Sequence, residues 1–216
     1  MQAKGSGGRG RGLTGYMTMK KEKEDTTRSE IIITGFGGQG IVLAGRILGK
    51  AAVLGDNKES TLVQAYGPEA RGGACSAQVI ISDGPIHYPY VRRPHVLVCM
   101  SQGGFDKFVS QIREEGTLII DQDLVKPRGY DGQIFSIPAT RLAEELGRKM
   151  MANIIMLGFL TAVTGAVSVK AALNAVLASV PKGTEKTNTT AFNKGCDYGF
   201  AVLKGLEKKA TGKTGA

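Results

Sequence analysis

Short apolar runs separated by glycine turns recur through the middle of the chain, and they set its predicted elements. Ile31, Ile32 and Ile33 place three β-branched residues in a row, the composition of a strand buried on both faces. The apolar, small-residue run over 41–54 suits a helix folded back over that strand, with Gly55 as its C′ residue. Further strands are predicted over 60–65, 75–82, 96–100, 116–121 and 134–137, with a short partner strand over 86–91 and a helix over 105–114. From Pro138 onward the pattern turns helical. Helices are expected over 139–146 ended by Gly147, 153–164 ended by Gly165, 169–179 capped by Ser168, and 190–208.

Strands that alternate with helices predict a three-layer α/β/α, Rossmann-like domain with a mainly parallel sheet. An antiparallel excursion over 82–90 would make that sheet mixed. The 153–164 helix is apolar nearly all round, so it should be covered by the sheet or by another subunit. Phe192, Tyr198, Phe200 and Leu203 sit among charged residues, as on a surface helix. Met150, Met151 and Met156 read as adaptable packing.

Candidate chemistry begins at the first turn. Gly35, Gly37 and Gly40 have the spacing G-x-G-x-x-G, which permits a tight turn, close approach of backbone to an anion and close helix–strand packing. A helix starting there aims free N–H groups and its positive dipole end over the turn, a seat for phosphate. A dinucleotide site would also need an acidic residue ending the second strand. Asp56 and Glu59 fall before that strand, which ends in Gln64, Ala65 and Tyr66. NAD or FAD is therefore the weaker expectation. A second glycine-rich loop follows as Tyr66-Gly67-Pro68-Glu69-Ala70-Arg71-Gly72-Gly73, and parallel-sheet logic brings it to the same rim. Arg71 offers a planar donor set for phosphate or carboxylate, or a partner for Glu69 within the loop.

Composition changes this picture little. The 216 residues and 42% hydrophobic content suit one globular domain, here 30–209, flanked by a disordered basic extension at 1–29 and a tail at 210–216. Met17 or Met19 could serve as the native start. Much of the formal charge of +9 lies in those terminal segments, without the interleaved aromatics of a single-strand binder, so no nucleic-acid partner is expected. No apolar run is long enough for a membrane span and no signal peptide is evident, which predicts a cytoplasmic protein. Cys75, Cys99 and Cys196 are dispersed, so this chain should hold neither a disulfide nor an iron–sulfur cluster nor any other metal by itself. Cys75, beside the second loop, is the one candidate for a redox-sensitive thiol. His87 and His95 read as structural, and no catalytic residue is assigned.

Taken together, GFGGQGIVLAG at 35–45, AYGPEARGG at 65–73, VIISDGPIHYP at 79–89 and NIIMLGFLTAVTG at 153–165 resemble the gamma subunit of 2-oxoacid:ferredoxin oxidoreductases. The resemblance covers about residues 30–205 and is closest to the 2-oxoglutarate enzyme, with the pyruvate, branched-chain and indolepyruvate versions as alternatives. It implies the fold of the gamma-equivalent domain of pyruvate:ferredoxin oxidoreductase. It also implies CoA-dependent oxidative decarboxylation of a 2-oxoacid to acyl-CoA, with ferredoxin as electron acceptor. Thiamine diphosphate, Mg and iron–sulfur clusters are implied on other subunits, and alpha, beta and delta (ferredoxin-like) subunits as partners. Carried over to this sequence, Gly35, Phe36, Gly37, Gly38, Gln39 and Gly40 form one rim loop. Tyr66, Gly67, Pro68, Glu69, Arg71, Gly72 and Gly73 form the other, and both are candidates for contact with CoA or a neighbouring subunit. The first thirty residues have no counterpart in the family pattern. Outside this family the competing readings are a free-standing dinucleotide-binding oxidoreductase and a nucleic-acid-binding module.

Overall fold

The computed structural model describes residues 28–66 and 74–211, so the expectations for the N-terminal extension up to residue 27, for Gly67, Pro68, Glu69, Arg71, Gly72 and Gly73, and for 212–216 lie outside the described residues. Among the described residues six strands form one sheet: β1 (Ser29–Phe36), β2 (Glu59–Tyr66), β3 (Ala74–Ser82), β4 (Val96–Cys99), β5 (Thr117–Asp121) and β6 (Gln133–Ile137). Their order is β2-β3-β1-β4-β5-β6. Strands β1, β4, β5 and β6 are parallel, whereas β3 runs antiparallel to both β1 and β2. The sheet is thus mixed, as anticipated, but its antiparallel member is β3 and not the 82–90 stretch. Residues 83–95 form no strand. Pro85, Pro89 and Pro94 lack the N–H that a ladder needs, and the Val91 N–H is taken by Gln78 Oε1 at 3.0 Å.

The pleat divides the core by alternation. Ile31, Ile33, Val79, Ile81, Val98 and Ile119 face a large helical layer, and Ile32, Ile80, Leu97, Cys99, Leu118 and Ile120 face a thin one. The large layer holds α1 (Ile41–Lys50), α3 (Ala139–Glu145), α4 (Ala152–Thr164), α5 (Val169–Leu177) and α6 (Glu185–Thr211). The thin layer has only α2 (Gln102–Phe108), through Phe105 and Phe108, with irregular segments beside it.

Helix α4 is buried by this chain itself, mainly against α6. Two glycines permit that contact: a Cβ on Gly158 would meet the Phe192 carbonyl, and one on Gly195 the Ile155 carbonyl. The Cys196 thiol donates to the Gly158 carbonyl across the crossing at 3.3 Å. Phe192 is fully buried, so the first half of α6 is a packing helix, whereas Phe200, 48% exposed, lies on the surface as expected. It also begins five residues before the expected start. Asn188, Thr189 and Thr190 disfavour helix on propensity, but each bonds back to the carbonyl four residues earlier, and burial of the following face decides the outcome.

Two other boundaries moved for related reasons. Helix α2 starts three residues early because the Ser101 hydroxyl accepts from the Gly104 N–H, and the helix gives way to a 3-10 turn at Val109–Gln111. Helix α1 passes into a π-helical turn, Ala51–Gly55, that packs on α5. Gly55 serves close approach there, since a Cβ would meet that of Ala171, and it is not a left-handed C′ residue. Asp56 then accepts from both the N–H and the hydroxyl of Ser168, the N-cap of α5, at 2.7 and 2.6 Å.

Candidate functional site

From the adjacent parallel strands β1 and β4 the chain leaves toward opposite faces, into α1 on the large layer and α2 on the thin one. In an open α/β sheet such a switch point forms a crevice at the strand C-termini where ligands collect. Here the crevice has a plug. Gln39 turns back into it, its Oε1 accepting from the Phe36 N–H at 2.6 Å and its Nε2 donating to the Met100 carbonyl at 3.0 Å. The Gln39 N–H closes the turn on the Phe36 carbonyl at 3.2 Å.

The glycines fit around that side chain. A Cβ on Gly35 would collide with Gln39 Oε1 and Ile41 Cδ1. Gly40, the N-cap of α1, has φ 74°, and a Cβ there would strike Asn153 Nδ2. Asn153 Nδ2 donates to the Gly40 carbonyl at 3.2 Å, which fixes the direction of the amide. Its Oδ1 is then left buried with no hydrogen-bond partner among the described residues, although the residue is only 3% exposed. A stranded acceptor of this kind costs about 1–3 kcal/mol, so it calls for a donor from outside the described residues.

Such a donor has room to enter. A cavity of about 570 Å³ opens beside the turn, bounded by Gly38 and Gly40 on one side and by Asn153, Ile154, Val180 and Pro181 on the others. Leu43 and Met151 add apolar wall, and Arg148 and Lys149 stand with Met150 at the lining. Met150 is 83% exposed, a large apolar group left in solvent. Lys149 also pairs with Glu144 at 3.2 Å.

Of the expected rim residues, Gly35, Phe36, Gly37, Gly38, Gln39 and Gly40 form one continuous turn, with Phe36 46% exposed. Tyr66 and Ala74, which flank the second loop, lie at the end of the sheet that bears the turn, because Cys75 is opposite both Gly35 and Tyr66. Tyr66 itself is 69% exposed. Arg148, Lys149, Met150 and Asn153 escaped the sequence reading as a site. The available signal was a basic pair and an exposed methionine at the start of a helix, where positive charge opposes the dipole.

Other candidates settle into structural roles. His95 Nδ1 accepts from the Glu30 N–H at 2.9 Å, and His87 is exposed. Burial raises the Cys75 thiol above its ordinary range, which opposes the redox role considered for it. Burial does the same to Cys99 and pushes Cys196 up to about 12. Among the described residues no carboxylate stands at the end of β2, and β2 is separated from β1 by β3, unlike the strand order of a dinucleotide fold. Among the described residues no three His, Cys, Asp or Glu side chains are grouped to hold a metal, and no helix is long and apolar enough to cross a membrane.

A plugged switch point, a cavity displaced to its side and a mixed six-stranded sheet define an α/β subunit fold shared with known oxidoreductases. Residues 30–198 match the pyruvate ferredoxin/flavodoxin oxidoreductase family model, and the chain belongs to that family. It is 52% identical over 172 residues to the 2-oxoglutarate synthase subunit KorC of Methanocaldococcus jannaschii, covering 78% of this chain and 92% of that one. The keto/oxoacid ferredoxin oxidoreductase gamma subunit of Geobacter sulfurreducens superposes with a TM-score of 0.72 at 39% identity, over 80% of this chain and 99% of that one. The 2-oxoglutarate:ferredoxin oxidoreductase of Magnetococcus marinus, with 2-oxoglutarate, coenzyme A and succinyl-CoA bound, shares the fold at TM-score 0.72. That match is 19% identical and covers 81% of this chain and 31% of that one.

Proposed function

We propose that this chain is the gamma subunit of a 2-oxoglutarate:ferredoxin oxidoreductase complex, and that its glycine turn and the adjoining cavity form part of the CoA side of the active site. The 52% identity to a 2-oxoglutarate synthase subunit over most of both chains supports the acid and the assembly. Alpha, beta and delta subunits complete the complex, with ferredoxin as acceptor. Thiamine diphosphate, bound with Mg on those other subunits, supplies the decarboxylation chemistry and iron–sulfur clusters carry the electrons.

The observation that carries the CoA assignment is the unpaired Asn153 oxygen on the wall of a cavity that is apolar inside and cationic at its lining. CoA matches that arrangement: amide N–H groups along a largely apolar arm, and phosphates at one end. Asn153 Oδ1 would accept an amide N–H, Leu43, Ile154 and Val180 would line the arm, and Arg148 and Lys149 would face phosphate. Gln39 has a positioning role, holding the turn against β4. A free-standing dinucleotide enzyme fits less well, because Gln39 fills the crevice where a pyrophosphate would sit.

Steady-state kinetics on the reconstituted complex test the proposal. Replacing Arg148 and Lys149 together by Ala should raise the KM for CoA about tenfold while leaving that for 2-oxoglutarate unchanged. An unchanged KM for CoA in an intact complex would remove CoA from this cavity. Preference for pyruvate over 2-oxoglutarate would correct the acid and keep the family.

A further inference from the structure

At the other end of the sheet, roughly 20 Å along β1 from the glycine turn, a second cleft of about 490 Å³ has a different chemistry. Arg28, Arg92, Arg93 and Arg113 line it with Tyr88 and Tyr90, and among the described residues Glu30 is the one acidic side chain in the lining and no lysine takes part. The cleft is assembled from the N-terminal ends of β1, β4 and β5, so it shares no residue with the rim.

Its walls are pinned in place. Glu30 exchanges hydrogen bonds with His95, its N–H donating to Nδ1 at 2.9 Å and its carbonyl accepting from the His95 N–H at 2.8 Å. The Glu30 carboxylate draws in two guanidiniums, Arg28 at 2.9 Å on one oxygen and Arg113 at 3.9 Å on the other. Arg113 Nε also donates to the Arg93 carbonyl at 2.8 Å, and buried Val91 anchors the intervening loop. Arg92 lies over the Tyr88 ring at 5.1 Å, and Tyr88 and Tyr90 meet at 5.5 Å with their planes tilted by 50°. The Arg93 guanidinium has no partner among the described residues. A long segment without secondary structure, held this firmly while presenting Arg and Tyr, is the mark of a binding loop.

We infer that this cleft is a second ligand site, for a nucleotide bearing a pyrophosphate group. Arg92 and Arg93 have no carboxylate partner among the described residues, and a guanidinium fork matches phosphate oxygens in paired hydrogen bonds. Glu30 acts as a positioning residue that holds Arg28 and Arg113. Arg92 and Arg93 supply further positive charge from the loop before β4. Tyr90, about half exposed, offers a face on which a flat base can stack, while Arg92 already covers the ring of Tyr88.

Calorimetric titration of the full-length chain with ADP, pyrophosphate and adenosine, repeated on the assembled complex, tests the assignment. ADP should bind at one site in both, pyrophosphate more weakly and adenosine not at all. Arg92→Ala combined with Arg93→Ala should weaken ADP at least about tenfold, and Tyr90→Ala several-fold. Lys170→Ala, removing one positive charge from an exposed position on α5, should change nothing, and circular dichroism should confirm that each variant is folded. The proposal is overturned by no binding to either preparation, or by binding to the chain that the complex loses. Equal loss in Lys170→Ala, pyrophosphate as tight as ADP, or a hexaglutamate peptide preferred over ADP would overturn it too. ADP binding that survives the arginine changes but disappears with Arg148→Ala and Lys149→Ala would place the nucleotide in the rim cavity and also end it.

Discussion

Glycine does opposite work in two regions of this molecule. In the turn between β1 and α1, Gly40 adopts a left-handed backbone and leaves its space to Asn153, while Gly38 opens onto nothing within 4 Å. At the crossing of α4 and α6, Gly158 and Gly195 sit in ordinary helix and give their space to the facing backbone carbonyls. One region uses the missing side chain to turn the backbone left-handed and seat the Asn153 amide. The other uses it to shut two helices together so closely that even a methyl group is excluded.

The crossing should therefore be the less forgiving of the two. Gly195→Val drives a branched side chain onto the Ile155 carbonyl, which cannot withdraw without parting the helices, and is expected to cost about 4 kcal/mol or more. Thermal melting should show no cooperative transition. A variant that melts near wild type would mean that the helices have slack.

The turn should yield in a graded way. Gly40→Ala carries a left-handed penalty of about 1–2 kcal/mol and pushes on an amide that can swing aside. Gln39→Leu removes both bonds across the crevice and should cost about 1–3 kcal/mol, while the assembled complex loses turnover with CoA. Denaturant unfolding of the two variants measures both, and a loss as large as that of Gly195→Val would erase the distinction.

The smallest effect concerns pH. Cys196 sits in the crossing with its pKa pushed up to about 12 by burial first and then by the Asp197 charge. The folded thiol keeps a proton that the unfolded thiol releases near its ordinary value of 9.0, so the stability it contributes is intact below about pH 9 and is lost as pH rises toward 12. Cys196→Ala should flatten that alkaline decline of the melting temperature. An identical slope in the variant would show that other groups govern it.

The turn was legible in sequence and the crossing was not. Ile31-Ile32-Ile33 followed by spaced glycines declares a strand and a turn within fifteen residues, since period and turn chemistry are local signals. Gly158 and Gly195 are 37 positions apart, and their meaning depends on which helix faces which. In sequence Gly158 reads only as a small residue within the apolar 153–164 stretch. The start of α6 was hidden for the same reason, because Thr187 to Thr190 read as poor helix until burial of Ala191 and Phe192 is known. The direction of β3 escaped too, as an antiparallel strand buried on both faces has the apolar content of a parallel one. The rim cavity draws its lining from positions 38 to 188, so no local motif could announce it.

The burial of Cys75, Cys99 and Cys196 has a practical corollary. Sulfhydryl reagents at neutral pH find no ready thiolate on the native chain, so a cysteine placed at Met150 would be the one fast-reacting handle. A dye attached there would watch the turn end of the sheet alone, with the three native cysteines left in place.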